Sequence, residues 1–155
     1  MNARWISILG LLGGIIGLNA SGQETSAPFH PIALWESNAS KGVLLVAPGE
    51  MLIIDSKGDK YGKVHAKEPV YGATISPDGK KLVYITATGL WLAKLESGAN
   101  YLVSSGVCGF FHWNVDGLSF LFSVDERGKD APSSVSSIKF FWADGDGKNL
   151  KQVYP

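Results

Sequence analysis

The acid-glycine pairs Asp78-Gly79 and Asp116-Gly117 lie 38 positions apart. Two carboxylates brought together by such a repeat could share general acid and base work. Turn chemistry explains them better. Asp-Gly after an extended segment lets the chain reverse with φ > 0 at glycine while the aspartate side chain bonds nearby backbone amides. Pro77, Asp78, Gly79, Asp116 and Gly117 are therefore read as structural turn residues, and no catalytic residue is assigned.

The remaining candidates divide the same way. Asp144-Gly145-Asp146-Gly147-Lys148-Asn149 alternates aspartates like a calcium loop. Lys148 stands at position five of such a loop, where an oxygen ligand belongs, and Asn149 stands at position six, where its glycine belongs, so a strand-connecting turn is expected. His30, His65 and His112 are scattered singly, with no i, i+4 pair and no cysteine partner to make a zinc set. No metal and no cofactor is expected. Cys108, flanked by Val107, Gly109, Phe110 and Phe111, reads as a small buried hydrophobe. Gly-x-Ser-x-Gly, phosphate-loop and His-Glu-x-x-His signatures are all missing, so the chain is not expected to be an enzyme. The most polar irregular stretch is 125–134. Its charged residues Asp125, Glu126, Arg127, Lys129 and Asp130 form the expected ligand-binding loop.

The elements that must position these residues are short. Apolar runs rich in β-branched and aromatic residues recur at Ile32 to Trp35, Val43 to Val46, Met51 to Ile54, Val70 to Ile75, Leu82 to Ile85, Leu90 to Ala93, Phe110 to Trp113, Leu118 to Val124, Ser137 to Trp142 and Leu150 to Tyr154. Turn formers separate them, and no helical stripe interrupts them. An all-β fold follows. Trp91, Phe110, Phe111, Trp113, Phe120, Phe122, Phe140, Phe141 and Trp142 are expected to fill its core rather than to form a binding platform.

The pattern also repeats. Ser76-Pro77-Asp78-Gly79-Lys80-Lys81-Leu82-Val83-Tyr84 recurs as Asn114-Val115-Asp116-Gly117-Leu118-Ser119-Phe120, with a degenerate earlier copy in Ser37 to Leu45. Downstream, Met51 to Gly58 resembles Trp91 to Gly98, and Gly58 and Gly98 are 40 positions apart. A unit of about 40 residues with four short strands is the size of one propeller blade.

Ala73 to Tyr84, followed by an apolar strand, a glycine turn and Tyr101-Leu102-Val103, resembles the TolB-like, WD40-like β-propeller repeat. The resemblance is good over 70–103, fair over 110–154 and weak over 32–64, and Asn114-Val115-Asp116-Gly117 departs from it by lacking proline. It implies about three blades of four antiparallel strands, at 32–66, 70–103 and 107–155, forming an incomplete ring. It also implies that the polar loop joins the second and third strands of its blade, on the face shared with Lys67-Glu68 and Ser104 to Gly106. Open end faces would then invite self-association or a protein partner.

Met1 to Arg4 is short and positive, Trp5 to Leu18 is apolar and shorter than the ~20 residues of a spanning helix, and Asn19 to Gly22 is small and polar. Residues 1–22 are expected to be a signal peptide cleaved after Gly22, with 23–31 a polar lead-in. Periplasmic or secreted localisation follows, with no stable membrane anchor after cleavage. Fourteen basic residues balance fourteen acidic ones, so no field draws in nucleic acid. These features describe an exported, non-catalytic interaction or scaffold module. The alternative is a truncated propeller domain of a prolyl-oligopeptidase-like hydrolase lacking its catalytic domain.

Overall fold

In the computed structural model, residues 32–34, 41–126 and 137–154 are described. The leader and its cleavage position, His30, the turn before Lys41, and Arg127, Lys129 and Asp130 lie outside them. The described residues form twelve strands and no helix: β1 (Ile32–Leu34), β2 (Lys41–Ala47), β3 (Glu50–Asp55), β4 (Lys60–His65), β5 (Gly72–Ile75), β6 (Lys81–Ile85), β7 (Gly89–Lys94), β8 (Asn100–Ser105), β9 (Val107–Trp113), β10 (Ser119–Asp125), β11 (Ile138–Asp144) and β12 (Lys151–Tyr154). They pair as three antiparallel four-stranded sheets in sequential order, β1 to β4, β5 to β8 and β9 to β12. We call these sheets blades 1, 2 and 3. They do not close into a ring.

Strand alternation builds two cores from one middle blade. Successive side chains of a strand point to opposite faces, so on β6 Leu82 and Tyr84 join the cluster shared with blade 1, while Val83 between them joins the cluster shared with blade 3. The first cluster takes Val43, Leu45, Met51 and Ile53 from blade 1. The second takes Leu90 and Leu92 from blade 2, with Trp113, Phe120 and Phe122 from blade 3. Both faces of blade 2 are therefore apolar, whereas β4 and β8 are largely exposed.

Two expectations need correction. The fourth strand of blades 1 and 2 escaped the apolar-run reading, because a strand with half its residues in water has no reason to be hydrophobic: β4 reads Lys-Tyr-Gly-Lys-Val-His. The aromatic core is also smaller than expected. Trp113, Phe120 and Phe122 are buried, but Phe110 is 53% and Trp142 36% exposed. Trp142 stands opposite Leu121 on the face of blade 3 turned away from blade 2.

Candidate functional site

The connections of a sequentially ordered antiparallel sheet alternate between its two ends, and the chain uses each end differently. At one end are the first-to-second and third-to-fourth strand turns. Ser76 Oγ donates to Asp78 Oδ1 at 2.6 Å and the Lys80 amide donates to the same oxygen at 3.0 Å. Burial opposes ionisation of Asp78, but these two bonds outweigh it and hold its carboxyl below the usual range. Gly79 and Gly117 turn the chain at φ of +69° and +68°, in the left-handed region where glycine carries no Cβ penalty. In blade 3, Asp116 Oδ1 accepts the Leu118 amide at 2.8 Å.

Asp144 works likewise. Its Oδ1 accepts the amides of Lys148 at 2.8 Å and Asp146 at 3.0 Å, and its Oδ2 accepts the Asn149 side-chain amide at 2.6 Å. The calcium-like spacing is thus occupied by turn bonds. Asp146 instead receives Lys94 Nζ at 3.0 Å and Lys81 Nζ at 3.3 Å. These two lysines, Lys94 first, lower its pKa. Lys81 Nζ also reaches the Gly145 carbonyl at 2.8 Å, as Lys41 Nζ reaches the Gly79 carbonyl at 3.2 Å. These lysines fasten each blade to the next.

A cavity of about 390 Å³ borders the Asp78 turn at this end, lined by Lys41, Tyr61, Lys63, Asp78, Lys80 and Glu96, and the opposite end carries a cavity at each blade junction. There the Ala66 amide donates to the Gly49 carbonyl at 2.8 Å and the Gly106 amide to the Thr88 carbonyl at 3.0 Å, gathering the blade-to-blade connections beside the second-to-third strand turns. Between blades 1 and 2 lies a cleft of about 350 Å³ lined by His65, Lys67, Glu68, Tyr84, Thr86, Trp91 and Asn100. Register places Tyr84 directly opposite Trp91, and their rings lie 10° from parallel with centroids 6.4 Å apart.

Both rings are anchored by their polar ends. The Asn100 amide donates to Tyr84 Oη at 2.7 Å. Trp91 Nε1 donates to Thr86 Oγ1 at 3.2 Å, and Thr88 Oγ1 donates to both Glu68 carboxylate oxygens at 3.0 Å. Burial raises the Tyr84 phenol above its ordinary pKa, so it stays protonated at neutral pH. The cleft therefore offers a rigid aromatic wall, a fixed carboxylate and the basic side chains Lys67 and His65.

The polar loop expected to bind ligand is represented only by its first residues. Asp125 accepts Ser137 Oγ at 3.0 Å and Glu126 pairs with Lys139 at 2.6 Å, so both are engaged within their own blade. They border a shallower cavity between blades 2 and 3 with Ser104, Ser105, Gly106, Val107, Val124 and Phe141. Of the two described histidines, His65 lines the blade 1–2 cleft and His112 does not. Among the described residues no three His, Cys, Asp or Glu side chains are grouped to hold a metal ion. Cys108 is buried in the second core, and burial pushes its thiol up to about 11. Sequence reasoning overlooked the cleft because its residues come from four separate stretches. Their one shared signal was that Tyr84 and Trp91 fall opposite each other in a hairpin.

No protein-family model matches the chain, and no curated protein matches it in sequence. Solved structures do match. The tricorn protease superposes with a TM-score of 0.62 at 13% identity, covering 84% of this chain and 13% of that one. The β-propeller domain of the trilobed protease from Pyrococcus furiosus gives 0.57 at 18% identity, covering 79% and 41%. A chain of a nidogen/laminin complex gives 0.55 at 9% identity, covering 77% and 46%. The chain thus spans less than half of each of these structures. At such identities the likeness concerns fold alone, and with three stacked four-stranded sheets it establishes that this chain has a β-propeller-type fold.

Proposed function

We propose that this chain is an exported, non-catalytic propeller-type interaction module whose ligand site is the cleft between blades 1 and 2. The observation that carries the reading is the locked aromatic pair. Tyr84 and Trp91 are held by Asn100 and Thr86 before any ligand arrives, so binding need not freeze them at an entropic cost. Lys67 and His65 beside that wall suit a peptide segment presenting a carboxylate next to an apolar side chain. The leader-like residues 1–22 support export, and intact mass of secreted material beginning at Gln23 is the expected outcome.

The binding test is a titration with short peptides bearing free or amidated C-termini, read at the Trp91 indole N–H resonance. Saturable shifts with the free-carboxylate peptides, weakened by Lys67→Ala and by amidating the peptide C-terminus, are expected. An indole resonance unmoved by every peptide refutes the site.

A second reading is a propeller domain that serves a neighbouring hydrolase domain. The fold likeness to two protease propellers favours it. Sequencing the gene locus separates the two, because this reading requires a hydrolase frame beside the propeller.

A further inference from the structure

The cleft between blades 1 and 2 holds a charge that the carboxylate of a peptide cannot answer. Glu68 lines it beside Lys67, Tyr84 and Trp91. Among the described residues no lysine, arginine or histidine forms an ion pair with Glu68. What holds its carboxylate is the Thr88 hydroxyl, which donates to both oxygens at 3.0 Å.

That hydroxyl ends a directed chain. An ionised carboxylate only accepts, so the single Thr88 proton goes to Glu68, and the 3.1 Å contact between the two threonine hydroxyls is a bond from Thr86 to Thr88. Thr86 Oγ1 in turn accepts the Trp91 indole N–H at 3.2 Å and the Thr88 amide at 3.3 Å. From the indole onward each donor points toward the carboxylate, and bonds linked in this way polarise one another. Blade 2 thereby fixes a carboxylate carried by the connection from blade 1. Its charge reaches the aromatic wall: burial is the first cause of the raised Tyr84 pKa, and Glu68 adds to it.

A carboxylate has about four acceptor positions, and one hydroxyl leaves most of them for a ligand. A cation suits them best. Charge-assisted hydrogen bonds are about twice as strong as neutral ones, and the faces of tyrosine and tryptophan rings attract a cation placed over them. We propose that Glu68 receives an ammonium group of the ligand, so that the cleft takes a zwitterionic peptide with its carboxylate beside Lys67 and His65. The ammonium is either the peptide's own α-amino group or a lysine side chain. This assignment rests on the cleft being the ligand site. A cavity of about 350 Å³ accommodates both ends of a dipeptide, which spans about 7 Å when extended.

The experiment titrates three dipeptides into the full chain and into Glu68→Gln at neutral pH, read at the Trp91 indole N–H resonance. They are Ala-Leu with both ends free, N-acetyl-Ala-Leu and N-acetyl-Lys-Leu. Glutamine keeps an oxygen acceptor for Thr88 and removes the charge. At least one ammonium-bearing peptide is expected to bind the wild type about fivefold tighter than N-acetyl-Ala-Leu and to lose that advantage in Glu68→Gln. Ala-Leu in that place assigns the α-amino group, and N-acetyl-Lys-Leu assigns the side chain. N-acetyl-Ala-Leu is expected to bind both proteins alike, which shows the variant's cleft to be intact. Three equal affinities for the wild type, or an advantage that survives in Glu68→Gln, overturn the role of Glu68 while leaving the cleft as the ligand site. An equal loss of all three in Glu68→Gln makes Glu68 a support of the cleft and overturns its role as ammonium receptor. If none of the three moves the indole, the cleft itself is refuted, and the role of Glu68 falls with it.

Discussion

Replacing Leu82 by alanine, and separately Val83 by alanine, removes adjacent side chains of one strand from two different cores. Both residues are fully buried, Leu82 among the blade 1–2 cluster and Val83 among the blade 2–3 cluster. Leu82→Ala should cost about 2–5 kcal/mol, depending on how far the cavity collapses. Val83→Ala removes two methyl-sized groups at ~0.8 kcal/mol each, or roughly 1.6 kcal/mol before any cavity term.

In stacked repeats each unit is stabilised chiefly by its neighbours, so the losses should fall on different junctions and open them sub-globally. Native-state hydrogen exchange is the assay. Leu82→Ala should speed exchange in β3 (Met51, Ile53) more than in β10 (Phe120, Phe122), and Val83→Ala should do the reverse. The same pattern of lost protection in both variants would refute the division of the middle blade into two cores.

Three further predictions rest on other parts of the structure. Gly79→Val and Gly117→Val force a β-branched residue to φ near +69° and +68° and should each lose at least about 1–2 kcal/mol. Asp125→Ala gives up a part-buried bond from Ser137 but forces no residue to positive φ and should lose less, so three equal melting temperatures would contradict the turn assignment. Asp78, Asp144 and Asp146 have lowered folded pKa values. Their contribution is therefore complete above the unfolded aspartate range and lost as pH falls through the folded values, and the melting temperature should drop between about pH 5 and about pH 2. A rise over that interval would refute the sign. With its thiol pushed up to about 11, Cys108 should react with a disulfide reagent at pH 8 only after denaturant is added, and prompt reaction of the native chain would place it at the surface.

The all-β class and the repeat period were legible in the chain because they depend on local chemistry. Asp-Gly reverses a strand wherever it stands, and buried strands announce themselves as apolar runs such as Leu82 to Ile85. Tertiary structure decided what local chemistry cannot express. The outer strands β4 and β8 are held by pairing rather than burial, so their residues carry little pattern. Phe110 and Phe120 are the same residue type, yet one is 53% exposed and the other 1%, because only stacking determines which face of a blade has a neighbour. The cleft is the clearest case. Tyr84, Trp91 and Asn100 of blade 2 acquire His65, Lys67 and Glu68 only when blade 1 lies against them, and no spacing along the chain encodes that meeting.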